Sequence, residues 1–216
     1  MALQFDTGAA RSTLADFCAA LDGAGFAGRY WLSCGTLLGY RREGNFIAHD
    51  GDIDIGILAS DYRDDLVTTL QDSGFTLRRR RGTQADGLTL TFAHRGTKVD
   101  IFFHYRAGDR LWHLVTKGPP EIRYSYPAFG LTPSTFLDIP VFVPDRVDEV
   151  LEAAYGAQWR QPVSRWHYAY SPYNVEVVGG LPSKGFFWLK NGIWQVKSRL
   201  RAAVKAFRHS RSADRA

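Results

Sequence analysis

The segment Ala48-His-Asp-Gly-Asp-Ile-Asp-Ile-Gly-Ile constrains the fold more than any other part of the chain. Ile53, Ile55 and Ile57 alternate with Asp52 and Asp54, the period-2 pattern of a strand with one buried face. Both carboxylates then project from the same side while the isoleucines enter a core. Like charges so close repel unless a cation lies between them. Hard divalent ions take carboxylate oxygens, and Mg²⁺ commonly binds one or two of them together with substrate phosphates. Asp50 has the same parity, and it can either join the pair or cap the turn before the strand.

Lys98-Val-Asp-Ile-Phe-Phe supplies a third carboxylate, Asp100, alone in a strongly apolar strand where a charge needs a partner. Either Asp100 pairs locally with Lys98 or an arginine, or its strand lies beside that of Asp52 and Asp54 and three carboxylates converge. The latter suffices for one or two Mg²⁺ or Mn²⁺ ions on a transferring phosphoryl group. Upstream, Ser33-Cys-Gly-Thr-Leu-Leu-Gly follows a short apolar strand, Tyr30–Ser33, and opens a helix over Gly35–Arg42. Gly35 permits close backbone approach, and Thr36 offers a hydroxyl and an N–H at a helix N-terminus, the elements of a phosphate cradle. Cradle, acidic strand and later aspartate, in that order, are the layout of the nucleotidyltransferase fold. That predicts an α/β (α+β) chain with a central mixed β-sheet flanked by helices.

The run from Tyr30 to Ile57 resembles the signature of the LicD/fukutin family, Gly-(Thr/Ser)-Leu-Leu-Gly, an Arg, then Phe-Ile-Pro-Trp-Asp-Asp-Asp-Ile-Asp-Ile. The match runs without a gap from Gly35 to Asp54, and Arg42 falls on the family's arginine. Ala48, His49 and Gly51 depart from the usual Pro, Trp and middle Asp, and none of these removes the Asp-x-Asp pair. The Asp100 strand, and then Tyr155-Gly-Ala-Gln-Trp-Arg-Gln-Pro-Val-Ser-Arg-Trp with Ser171-Pro-Tyr-Asn, are similar to further blocks of the fukutin branch. The resemblance spans about residues 28–176. It implies transfer of a phosphate-linked group (ribitol phosphate, glycerol phosphate or phosphocholine) from a CDP-activated donor to a glycan hydroxyl, with release of CMP. It implies Asp52, Asp54 and Asp100, with Asp50, as metal and catalytic residues. Gly35, Thr36 and Arg42 fall to the donor phosphates, and Trp166 and Asn174 to the substrate site. An Asp-x-Asp glycosyltransferase, an ordinary nucleotidyltransferase releasing pyrophosphate, and a silent glycan-binding module are the rival expectations.

The remaining periodicity fills in the frame. Ser12 or Thr13 can cap a helix through about Leu21, and Ser60-Asp61 a second one bearing Tyr62, Leu66, Val67 and Leu70. Phe75–Arg80, Leu88–His94, Lys98–Tyr105 and Arg110–Val115 read as a meander. Residues 117–140 and 158–182, rich in Pro and aromatics, read as loops, with an Asp145-capped helix to Tyr155 between them. His49, His94, His104 and His113 show no metal-ligand spacing on one helix, although His104 closes the Asp100 strand. Arg78–Arg81 suits an exposed edge strand, or an acidic glycan. Two cysteines, Cys18 and Cys34, exclude a disulfide framework or a thiolate zinc site.

Net charge is +5, but residues 184–216 hold nine Lys or Arg against one acid, whereas residues 1–183 hold 18 against 21. A catalytic domain over 1–183 and a basic amphipathic tail over 184–216 follow. With the basic charge confined to the tail, no nucleic-acid partner is expected. In that tail Leu189, Ile193, Val196, Leu200, Val204 and Phe207 recur at steps of three and four. Such a stripe either docks on the domain or anchors on an anionic membrane. Neither a signal-peptide pattern nor a membrane-length apolar run is present, so the expected location is cytoplasmic, with the tail able to lie at the membrane's inner face.

Overall fold

The structure, a computed structural model, describes residues 6–116, 121–163, 166–178 and 181–213. Helix α1 (Thr7–Gly23) starts earlier than its hydroxyl residues suggest. Asp6 caps it instead, its carboxylate accepting from the Ala9 N–H at 3.0 Å. Strand β1 (Tyr30–Leu32), helix α2 (Cys34–Glu43) and strand β2 (Asp52–Leu58) follow as the alternation predicts. A 3₁₀ turn, Ala59–Asp61, precedes α3 (Leu66–Asp72), so Tyr62 lies between the two while Leu66 and Leu70 carry the buried stripe. The meander is β3 (Thr76–Thr83), β4 (Asp86–His94), β5 (Thr97–Ala107) and β6 (Arg110–Thr116).

Where the sequence reads as loop, the chain forms four more strands. These are β7 (Glu121–Pro127), β8 (Leu131–Phe136), β9 (Ile139–Pro144) and, after helix α4 (Val147–Tyr155), β10 (Val175–Val178). Prolines 127 and 144 close β7 and β9, where a missing N–H costs the sheet nothing. The β8–β9 hairpin turns through Leu137 and Asp138, both left-handed at φ 52° and 63°. Leu there replaces the Asn or Gly that normally announces such a turn. The expected helix cap at Asp145 falls on Arg146. The tail forms α5 (Leu181–Ala213).

Eight strands make one mixed sheet along the path β1-β2-β5-β6-β7-β10. Strand β5 organises it. One edge pairs in parallel with β2, placing Asp54 opposite Asp100, and the other edge is shared by β4 and β6. The two faces differ. Ile53, Ile55 and Ile57 are fully buried with α1, where Phe17 meets Tyr30 edge-on at 6.4 Å. On the opposite face Trp31 lies over Gly56 and meets His104 at 4.8 Å, beneath α2 and α4.

Helix α5 meets the domain through Phe187, which packs with Ile122 and Ala169, and Trp194, 5.9 Å from Tyr170. Both lie off the apolar stripe that the spacing picks out. The stripe's last members, Val204 and Phe207, lie outside the described side chains.

Candidate active site

The carboxylates emerge where β2 and β5 run side by side below the N-terminus of α2. One oxygen each from Asp50, Asp52 and Asp54 lies within 4.8 Å of the other two. Strand parity delivers Asp52 and Asp54, and the preceding turn folds Asp50 in beside them. Gly35 makes the approach feasible. A Cβ at that position would overlap Asp50 Oδ2 and stand 3.2 Å from Asp54 Oδ2.

The two groups expected to cradle phosphate engage Asp54 here. The Gly35 N–H donates to Asp54 Oδ2 at 2.9 Å, and the Asp54 N–H donates to Thr36 Oγ1 at 2.8 Å. The Ser33 N–H adds a bond to the Asp54 carbonyl, 2.9 Å. The start of α2 is thereby fastened to β2 at one residue. Cys34, at φ 40°, takes the left-handed turn between strand and helix.

Asp100 stands beside this group without joining it. Its Oδ2 is 3.1 Å from Lys98 Nζ, and its Oδ1 is buried without a hydrogen bond. The same ammonium also pairs with Asp52. Lys98 and Asp100 are two apart on β5, so parity alone brings both to the acidic face. Of the two alternatives for Asp100 the local ion pair with Lys98 forms; its strand does lie beside that of Asp52 and Asp54, but the three-oxygen group is made by Asp50, Asp52 and Asp54.

The electrostatics are those of a site short of positive charge. Burial, reinforced by Asp52, pushes the Asp50 carboxyl up to about 7. Asp54 is raised well above the carboxylate range, first by burial and then by Asp52, Asp50 and Asp100. Burial opposes the charge on Lys98, but hydrogen bonding to Asp52 and the nearness of both carboxylates raise its ammonium above the ordinary lysine value. A divalent cation would relieve this strain, and the donors are all hard carboxylate oxygens. The residues therefore fit Mg²⁺ or Mn²⁺.

Aromatic and imidazole rings line the floor behind the acids. The His104 and His113 rings meet at 4.6 Å, tilted by 50°, and His113 Nε2 lies 3.3 Å from the Tyr126 hydroxyl. Burial holds both histidines below their ordinary range, His113 at about 4 and His104 lowered further by its neighbour. They are neutral packing groups. Tyr155, at the end of α4, has its hydroxyl driven up by burial, then by Cys34 and Asp54. Sequence reasoning passed over Tyr155 as a site residue. Its one signal is its place at a helix end beside Gly156, within the third matching block.

The other expected residues are spread more widely. Trp166 is 43% exposed and packs on Tyr155 at 5.8 Å, one ring removed from the acids. Asn174 is buried, with neither Oδ1 nor Nδ2 hydrogen-bonded, while its carbonyl accepts from the Ser125 N–H at 3.0 Å. Arg42 lies two turns along α2, roughly 10 Å from Gly35. There it pairs with Glu43 at 2.8 Å and reaches the Trp159 carbonyl at 3.5 Å.

Residues 28–146 match the family described as LicD/FKTN/FKRP, nucleotidyltransferase domain. The chain is 36% identical over 170 residues to ribitol-5-phosphate transferase FKTN of Homo sapiens, covering 77% of this chain and 34% of that protein. The Macaca fascicularis protein of the same name matches equally. An uncharacterized protein of Caenorhabditis elegans is 29% identical over 192 residues, covering 82% and 46%. The chain thus spans about a third of the length of the ribitol-5-phosphate transferases it matches.

Proposed function

This chain belongs to the LicD/FKTN/FKRP nucleotidyltransferase-domain family, and from that premise we propose that it transfers a phospho-polyol, ribitol phosphate foremost, from a CDP-activated donor to a sugar hydroxyl of a glycan. The observation that carries the reading is the convergence of Asp50, Asp52 and Asp54 beside the Lys98–Asp100 pair. The relatives named ribitol-5-phosphate transferase support ribitol over glycerol phosphate or phosphocholine as cargo.

In this proposal Asp50, Asp52 and Asp54 hold Mg²⁺ or Mn²⁺, which supplies charge neutralisation and polarisation of the donor phosphates when bound. The oxygen of the acceptor hydroxyl bonds to the phosphorus bearing the polyol, and the bond from that phosphorus to the oxygen of the departing CMP breaks. Asp100, the carboxylate outside the three-oxygen group, takes the hydroxyl proton. Lys98 pairs with Asp52 and presents a fixed positive charge beside the reacting group. Gly35 and Thr36 serve by fixing Asp54. Trp166 and Tyr155 form an apolar wall on which a sugar or base can stack. Arg42, roughly 10 Å along α2, suits the far end of the donor rather than the reacting phosphorus.

The test is product identity. The protein is incubated with CDP-ribitol, CDP-glycerol, CDP-choline, a UDP-sugar or CTP, each with a glycan acceptor and with Mn²⁺ or EDTA. Metal-dependent CMP release from CDP-ribitol, abolished in Asp52→Ala, is the expected result. Release of UDP favours the glycosyltransferase reading, and pyrophosphate from CTP the nucleotidyltransferase one; either overturns the proposal.

A further inference from the structure

Helix α5 carries two apolar faces, and the domain uses one of them. The docked face holds Phe187 and Trp194, in contact with Ile122, Ala169, Tyr170 and His167. The other face holds Phe186, Leu189, Ile193, Val196 and Leu200, which are 44–61% exposed. At about 100° per residue the two faces point roughly 130° apart, so the exposed one is turned away from the domain. It extends for about 20 Å along the helix axis.

Charge indicates what covers it. Lys190, Lys197 and Arg201 run along one border of the exposed stripe, and Lys190 Nζ lies 4.4 Å from the Phe186 ring, its stem on the apolar surface. Trp188, 64% exposed, lies beyond the other border. An antiparallel copy of the helix meeting this face would set Lys and Arg against Lys and Arg. No helix among the described residues is long and apolar enough to cross a membrane. A surface that is apolar below and anionic around the rim satisfies every feature, which is the make-up of a bilayer interface rich in acidic lipid. We propose that the exposed face of α5 lies in the plane of an anionic membrane surface and holds the catalytic domain there. This stands independently of the reaction assigned above.

The experiment is co-sedimentation of the whole chain with phosphatidylcholine vesicles, and with vesicles containing about 30% phosphatidylglycerol. Binding is expected to the anionic vesicles, at least about tenfold weaker to phosphatidylcholine, and to fall as salt shortens the screening length. Ile193→Glu/Val196→Glu should lose binding to both. Lys190→Gln/Lys197→Gln/Arg201→Gln should lose the preference for acidic lipid. Both variants should keep the wild-type Tm, since none of these side chains belongs to the docked face. Equal binding to both vesicle types, or none, overturns the proposal. So does a dimer in light scattering that Ile193→Glu/Val196→Glu dissolves, because the face would then be covered by another copy.

Discussion

Gly35→Ala perturbs the acidic site through one added methyl group. Its Cβ would overlap Asp50 Oδ2 by roughly 1 Å relative to an ordinary van der Waals contact. Asp54 cannot yield, because its Oδ2 accepts from the Gly35 N–H and its own N–H is held by Thr36. Asp50 precedes β2 in a turn and is the group that can swing away. The outcome is a three-oxygen group reduced to two, with the fold intact. Loss of a supporting contact around a metal commonly costs on the order of 10–100-fold in affinity, and that is the expected weakening of Mn²⁺ binding by calorimetry or by paramagnetic resonance. Stability should move by no more than about 1 kcal/mol, since alanine's helix preference offsets part of the strain. Gly39→Ala is the control. Its Cβ would meet the Asn45 carbonyl oxygen at 2.6 Å, away from any carboxylate, so it should lower Tm and leave metal affinity unchanged. Wild-type Mn²⁺ affinity in Gly35→Ala would refute the reasoning, because the three carboxylates would then assemble without the close approach.

Thr36→Val leaves the buried Asp54 N–H unpaired and should cost about 1–3 kcal/mol in urea unfolding, with Thr36→Ser close to wild type. Gly56→Ala drives a Cβ into the Trp31 indole, 2.5 Å from Nε1; about 1–3 kcal/mol of destabilisation and altered tryptophan fluorescence are expected. The buried histidines make the fold acid-sensitive. His113 ionises near 4 when folded and near 6.5 when unfolded, so between those values the unfolded chain binds more protons and stability rises with pH. Tm should therefore fall as pH drops from 6.5 toward 4, with His113 contributing about 3 kcal/mol over that window, and His113→Asn should flatten the profile.

The acidic site was legible because its residues obey local rules. Asp52, Asp54, Lys98 and Asp100 are all placed by strand parity, and Gly35 by the strand-to-helix turn. Asp50 was ambiguous because a turn residue has no parity to enforce, and in the structure it serves in both places, its Oδ1 accepting from the Gly51 N–H while the carboxylate lies beside Asp52 and Asp54. Strands β7 to β10 were hidden for a different reason. Their prolines read as loop punctuation, and the β8–β9 turn uses Leu137 where a glycine would have marked it. Nor does periodicity say which face of a helix docks. In α5 the described part of the regular stripe, Leu189 to Leu200, stays outside, and the domain takes Phe187 and Trp194, whose partners are remote in sequence.

The β2–β5 pairing carries a consequence for how the protein comes into being. It joins strands in parallel, so the chain must leave β2, build α3 and the β3–β4 hairpin, and return before Asp54 can face Asp100. Those residues are roughly 45 apart, a separation whose closure entropy places the pairing late among folding events. On the ribosome, the segment from Tyr30 to Leu58 emerges with its acids already written but no register to hold them. The acidic face is completed when the strand carrying Lys98 and Asp100 arrives, so a chain stalled before that point carries the recognisable motif and not the site.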